Sequence, residues 1–266
     1  MQKNTIKAKL HEGGTVVGTC LTDYVGPEVV AILKAAGMDF AFVDTEHSPT
    51  DYREIQTLVR VARAADVIPL VRVTQSESFL IARALDVGAM GIIAPRIHSL
   101  EQARSVVAAM KFPPRGERGY GLRSIITDFD FHGAREEMES SDRETMVILQ
   151  MESRQCAEAI YDITAVPGVD AIMVGPFDLS VSLGIPGDFE NPIFWEAFDR
   201  MVDACRKNGV APGVHIGKMK LLKRAQEHGA RFLVFASDAA VLLNGWREAR
   251  QEFPASEPVA AKSGYM

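Results

Sequence analysis

Cysteine is scarce in this chain: Cys20, Cys156 and Cys205 are three thiols, odd in number and far apart, in 266 residues. That excludes a disulfide framework and a cysteine zinc cluster, and leaves reduced packing thiols as the expectation. An excess of positive charge is also missing, with 29 Lys and Arg against 35 Asp and Glu. No segment concentrates cations as a nucleic-acid footprint requires, so a nucleic-acid partner is not expected. No apolar run approaches the roughly 20 residues of a membrane span. The opening MQKNTIKAKLHEGG lacks the apolar stretch of a signal peptide, so a cytoplasmic protein without a membrane partner is expected. What remains, 47% hydrophobic and 24% charged, suits one large core and hence one domain.

Short apolar, β-branched runs alternate with longer stretches of helical period along nearly the whole chain. The runs are Thr15–Leu21, Phe40–Asp44, Ile68–Val73, Gly91–Ala94, Met146–Gln150, Ala171–Val174, Ala211–His215 and Phe232–Phe235. Each is hydrophobic throughout, as a parallel strand buried on both faces must be. Eight strand–helix units predict an α/β fold, a closed (β/α)8 TIM barrel. A weak repeat supports the count: a glycine (Gly37, Gly88, Gly168, Gly209 or Gly229) stands just before a strand, where a left-handed helix C′ cap is expected. The barrel is placed over residues 1–252, with a Pro-, Gly- and charge-rich excursion over 111–145 between strands 4 and 5. A polar tail expected to be mobile follows over 253–266.

Barrel active sites lie at the C-terminal ends of the strands. There the chain places Asp44-Thr45-Glu46-His47 after strand 2, Arg72 on strand 3, Gln150 and Glu152 on strand 5, and Gly175-Pro176-Phe177-Asp178 after strand 6. His215 ends strand 7 and Ser237-Asp238 follows strand 8, whereas the opposite ends read mainly as Gly, Ala and Pro. Glu152 and Asp178, on adjacent strands, suit a hard divalent cation such as Mg2+ or Mn2+; the plainer alternative is that each caps the following helix. The Gly175–Asp178 turn adds an anion site, since glycine admits close backbone approach and the amides of Phe177 and Asp178 open a helix. Arg72 can aim a fork of donors at a carbonyl that becomes an enolate, or pair with Asp44, or both. Gln150 can hydrogen-bond the same carbonyl, or serve as a polar cap. His47 can shuttle the proton of a substrate hydroxyl, with Asp86 a candidate acid to hold its tautomer. His215 is a further candidate, weighed against ordinary packing.

The stretch Phe42-Val43-Asp44-Thr45-Glu46-His47-Ser48-Pro49, with VRV, GERGYG, QMES and VGPFDLS in order, resembles the HpcH/HpaI class II aldolases from about Gly18 to Trp246. The family includes 4-hydroxy-2-oxoheptanedioate, 2-keto-3-deoxy-L-rhamnonate and 2-dehydro-3-deoxyglucarate aldolases. The resemblance implies reversible cleavage of a 4-hydroxy-2-oxo acid to pyruvate and an aldehyde through a metal-bound enolate, with Mg2+, Mn2+ or Co2+ as cofactor. It places the metal ligands on Glu152 and Asp178, the oxyanion arginine on Arg72, the catalytic histidine on His47 with Asp86 paired to it, and a pyruvate contact on Gln150. It also implies a homohexamer, a trimer of dimers, in which subunits exchange the last helix, about Asp238–Glu252. One departure is the run Leu122–Phe129 after GERGYG, more apolar than the family pattern, so the aldehyde preference of known members does not transfer. Arg123 in that run is a candidate reader of a distal carboxylate or a solvated surface group.

Three alternatives stand beside this reading. A Schiff-base aldolase needs a lysine in the barrel mouth, and only Lys218, after strand 7, comes near. A CoA-ester lyase of the malyl-CoA or citramalyl-CoA type shares the enolate logic but needs a basic nucleotide pocket. A non-catalytic barrel that binds a 2-oxo acid is compatible with the fold alone.

Overall fold

The computed structural model describes residues 2–121, 125–127, 129–130 and 132–253. The eight strands are β1 (Val16–Leu21), β2 (Phe40–Asp44), β3 (Ile68–Arg72), β4 (Gly91–Ala94), β5 (Met146–Met151), β6 (Ala171–Val174), β7 (Ala211–Ile216) and β8 (Phe232–Ser237). They pair in parallel in sequence order, and β8 closes on β1 to complete the barrel. The helices are α1 (Thr5–His11), α2 (Pro27–Ala35), α3 (Tyr52–Ala64), α4 (Ser78–Asp86), α5 (Leu100–Met110), α6 (Ala134–Glu144), α7 (Arg154–Glu158), α8 (Ile160–Thr164), α9 (Pro176–Ser182), α10 (Pro192–Asn208), α11 (Met219–Glu227) and α12 (Asp238–Gln251). All eight expected strands are present, three with the expected bounds and the rest within two residues. Each of the five repeat glycines has positive φ. At Gly88 (φ 102°) crowding adds to the demand, because a Cβ would stand 2.8 Å from Ile125 Cγ2 and 2.9 Å from Val59 Cγ1.

The strands are apolar throughout because they separate two cores. Alternate residues, Phe40 and Phe42, Ile68 and Leu70, Met146 and Ile148, Phe232 and Val234, fill the barrel interior. Their neighbours, among them Val43, Val71, Leu149, Ile172 and Leu233, pack outward against the helices. Helix α1 seals the N-terminal end of the barrel: Ile6 and Leu10 join the inner core, and the Asn4 side chain both caps α1 and donates to the carbonyls of Met90 and Glu144.

That sealed floor is more polar than the sequence suggested. Asp39 stands immediately before β2, and its carboxylate accepts the Val17 N–H at 2.8 Å and Lys9 at 3.2 Å. Asp170, just before β6, accepts the Val147 N–H at 2.8 Å and pairs with Lys7 at 3.1 Å and His11 at 3.5 Å. These acids stitch strands rather than face substrate, which is why they escaped a rule built on post-strand positions. The 111–145 excursion returns to the same floor, where Lys111 Nζ donates to the carbonyls of Asp142 and Thr145 and to the Thr145 hydroxyl. Burial pushes the Lys111 ammonium down to about 8.

Helix α12 leaves the barrel after its first turn, and Val241, Leu242, Leu243 and Trp246 are exposed along it. Beside its start lies a largely apolar groove of about 1130 Å³ between the β1–α2 loop, α2 and α3. Arg123 and the tail beyond Phe253 lie outside the described residues.

Candidate active site at the barrel mouth

The inward-facing rows of the strands end in polar groups. Two residues beyond Phe42 is Asp44, two beyond Leu70 is Arg72, and two beyond Ile148 is Gln150, so one layer carries all three. Arg72 makes a two-pronged pair with Asp44, Nε to Oδ1 at 2.9 Å and Nη2 to Oδ2 at 2.6 Å. Burial alone would raise the Asp44 carboxyl, but the Arg72 guanidinium overrides it and holds the group below the usual carboxylate range. Of the two readings of Arg72, the pair with Asp44 is the one the geometry shows. Its Nη1 makes only long approaches, 3.4 Å to Gln150 Oε1 and 3.5 Å to Glu46 Oε2, and is the prong left for a ligand.

Glu152 lies just past β5 and is buried. Its Oε1 accepts the Arg96 N–H at 2.5 Å and its Oε2 accepts from the Gln150 amide. Burial raises its carboxyl, the hydrogen bonds only partly offset this, and the charges of Glu46 and Asp178 raise it further. Gly175 is packed against the same carboxylate: a Cβ there would meet Gln150 Nε2 and Glu152 Oε2 at 3.1 Å. Pro176 opens α9, and Asp178 stands in its first turn beside the amides of Phe177 and Asp178, which have no intrahelical acceptor. The Phe177 ring is exposed and lies edge-on to Phe189 at 5.0 Å.

Glu46 completes the acidic set. Its side chain is 4% exposed, its Oε1 meets Arg96 Nε at 3.1 Å, and its Oε2 has no hydrogen-bond partner among the described residues. Arg96 follows β4 with φ 57°, a left-handed conformation unfavourable for a side chain. That geometry lets its backbone reach Glu152 while its guanidinium reaches Glu46.

A family model described as HpcH/HpaI aldolase/citrate lyase matches residues 25–245. The chain belongs to this family. Its members are enzymes, carbon–carbon lyases. It is 33% identical over 245 residues to the hydroxypyruvate/pyruvate aldolase of Roseobacter denitrificans, covering 91% of this chain and 93% of the relative. It is 28% identical to the 4-hydroxy-2-oxo-heptane-1,7-dioate aldolase of Salmonella arizonae over 98% of this chain and 99% of that one. The structure of an HpcH/HpaI aldolase from Desulfitobacterium hafniense superposes with a TM-score of 0.89 at 37% identity, covering 95% of this chain and 98% of that one.

Within this aldolase-family site, the structure brings Asp44, Arg72, Gln150, Glu152, Gly175 and Glu46 together. It does not bring Asp86 to His47. Asp86 ends α4 and pairs with the buried Arg118 of GERGYG at 3.2 Å, while His47 is half exposed, with its Nε2 3.8 Å from Glu46. His215 faces the barrel interior, edge-on to Phe42 at 5.5 Å. Two residues of the enzyme's mouth, Glu46 and Arg96, received no role from the sequence. Glu46 sits inside the quoted Asp44–His47 string, and Arg96 is the second residue after β4, so the post-strand rule applied to strand 4 finds it.

Proposed function

We propose that the enzyme reversibly cleaves a 4-hydroxy-2-oxo acid to pyruvate, or a close 2-oxo acid, and an aldehyde, with a divalent cation held by Glu152 and Asp178. One observation carries the reading: a buried carboxylate, Glu152, feels the charges of two further acids, Glu46 and Asp178, beside an arginine with one prong unused. Among the described residues no three acids, histidines or cysteines gather as a complete metal site, so two carboxylates would leave the ion's other positions to water and substrate oxygens. Hard oxygen donors fit Mg2+, Mn2+ or Co2+, and the orphaned Glu46 Oε2 fits a role facing the ion's water shell.

The cation, when bound, supplies Lewis-acid polarisation of the 2-oxo carbonyl. The chain's own groups do the rest. Arg72 Nη1, stiffened by the Asp44 pair, hydrogen-bonds the oxygen on which enolate charge develops, worth about 3 kcal/mol of barrier. Gln150 orients the Glu152 carboxylate and borders the same oxygen. The Phe177 and Asp178 amides bind the substrate carboxylate across Gly175, where a side chain would intrude. His47 takes the C4 hydroxyl proton as the carbon–carbon bond breaks and returns it in condensation. Asp86, paired with Arg118 and not brought to His47, is left out of this step. A Schiff-base route lacks support: Lys218 is exposed ahead of α11, and the one described lysine with a lowered pKa, Lys111, is anchored at the floor.

Proton–deuterium exchange at the pyruvate methyl, followed by NMR with EDTA-treated protein and with each cation, tests the reading without knowing the aldehyde. Exchange only with metal is expected; no exchange with any metal, in folded protein, overturns it.

The assembly we propose is a homohexamer, a trimer of dimers in which subunits exchange α12. Support comes from the exposed Val241, Leu242, Leu243 and Trp246 and from the apolar groove beside them. Among the described residues no helix is long and apolar enough to cross a membrane. With three buried free thiols, this supports a cytoplasmic assignment.

A further inference from the structure

His215 is not used by the chemistry above, yet its surroundings are built. On β7 the inward row runs Ala211, Gly213, His215: Ala211 belongs to the inner core, and a Cβ on Gly213 would strike Phe232 of that core. His215 therefore stands in the same layer as Arg72 and Gln150, the groups assigned above to the 2-oxo acid. The neighbouring strand is deformed to meet it. Pairing of β1 with β8 passes from Gly18–Val234 to Cys20–Ser237, which gives β8 one extra residue. Ala236 in that bulge has φ 52°, a strained value for a residue with a Cβ. Its carbonyl lies 3.0 Å from His215 Nε2.

A carbonyl only accepts, so Nε2 carries the proton and Nδ1 is left as a lone pair. Burial pushes the ring down to about 4, consistent with a neutral imidazole. Nδ1 has no hydrogen-bond partner among the described residues. A lone pair repels a carboxylate or an enolate oxygen; what it can bind is a hydroxyl. We propose that His215 selects the donor substrate, its Nδ1 accepting a hydrogen bond from the C3 hydroxyl of a 3-hydroxy-2-oxo acid, of which hydroxypyruvate is the smallest. Pyruvate has no hydroxyl to offer and leaves Nδ1 to water. The proposal rests on the enolate reading of the site and adds to it a residue that sets the preference between donors.

The experiment compares C3 proton–deuterium exchange of hydroxypyruvate with that of pyruvate, by NMR with Mg2+ present and protein-free rates subtracted. The readout is the ratio of the two kcat/KM values, which a loss of packing alone does not move. In His215→Leu the ratio falls about tenfold, the worth of one hydrogen bond, and His215→Asn, which keeps a short acceptor, recovers part of it. If the leucine variant does not fold, His215→Phe, which preserves a ring beside Phe42, carries the same expectation. A ratio unchanged within twofold in the apolar variants, with both rates reduced together, makes His215 a packing residue and overturns the proposal. Wild-type protein that exchanges neither substrate overturns the enolate reading first, and this inference with it.

Discussion

The two ends of this barrel are built from the same residue types and behave in opposite ways. At the floor, Asp170 is saturated by a lysine, a histidine and a strand amide, and these partners overcome burial to hold its carboxyl below the usual range. At the mouth, Glu152 receives two hydrogen bonds yet is pushed up by burial and by neighbouring acids, and Glu46 keeps one oxygen with no hydrogen bond among the described residues. A saturated charge contributes to folding; an unsaturated one holds affinity in reserve for something that arrives later. Asp44 and Arg72 mark the transition, a floor-style pair carried up into the mouth with one prong released.

Substitutions at the two ends should therefore separate activity from stability. Glu152→Ala should lower cation-dependent exchange on the order of 10³-fold or more while leaving the fold intact, read by kcat/KM and thermal melting together. Full cation-dependent turnover in that variant would remove Glu152 from the ligand set. Asp170→Asn should do the reverse, costing about 3–5 kcal/mol in denaturant unfolding because Lys7 loses its counter-charge and faces an amide group, with kcat unchanged. His47→Ala should slow aldol cleavage by about 10²-fold and leave cation affinity, measured by titration calorimetry, as in the wild type.

The smallest effect lies in pH, where the ends differ in sign. The lowered Asp170 and Asp44 carboxyls contribute stability that is complete above their unfolded pKa and lost as pH falls through the folded values. The raised Glu152 carboxyl contributes while protonated, and its share is lost as pH rises from the ordinary glutamate value through the folded one. A cation competes with that proton. The rise in Tm on adding Mg2+, about several °C at its largest, should grow as pH rises from the ordinary glutamate range, and Glu152→Gln should flatten that dependence. A Mg2+ effect independent of pH would mean that the ion binds elsewhere.

The barrel was legible in the sequence because burial on both faces leaves a distinctive signal: eight short runs, apolar nearly throughout, five of them preceded by a helix-ending glycine. The site was legible to the extent that it follows strand ends, which yielded Arg72, Gln150, Glu152 and the Gly175–Asp178 turn. Asp86 shows where that stops. It lies at the end of a helix, and its partner Arg118 is 32 positions away on the excursion, a tertiary pairing that spacing does not encode. The floor acids Asp39 and Asp170 were invisible for a related reason, since what they serve is the amide of a strand distant in sequence. The left-handed turns at Arg96 and Ala236 carry no glycine to announce them.

Helix α1 has a consequence for kinetics. Ile6 and Leu10 close the lower end of a barrel whose interior is already filled by core side chains, so substrates come and go through the mouth, with its deepest groups resting on that core. Whatever occupies the bottom must arrive first and depart last, so condensation is expected to follow a compulsory order: 2-oxo acid, then aldehyde. In the cleavage direction the aldehyde leaves before the 2-oxo acid, which makes the latter the product that competes with substrate for the free enzyme.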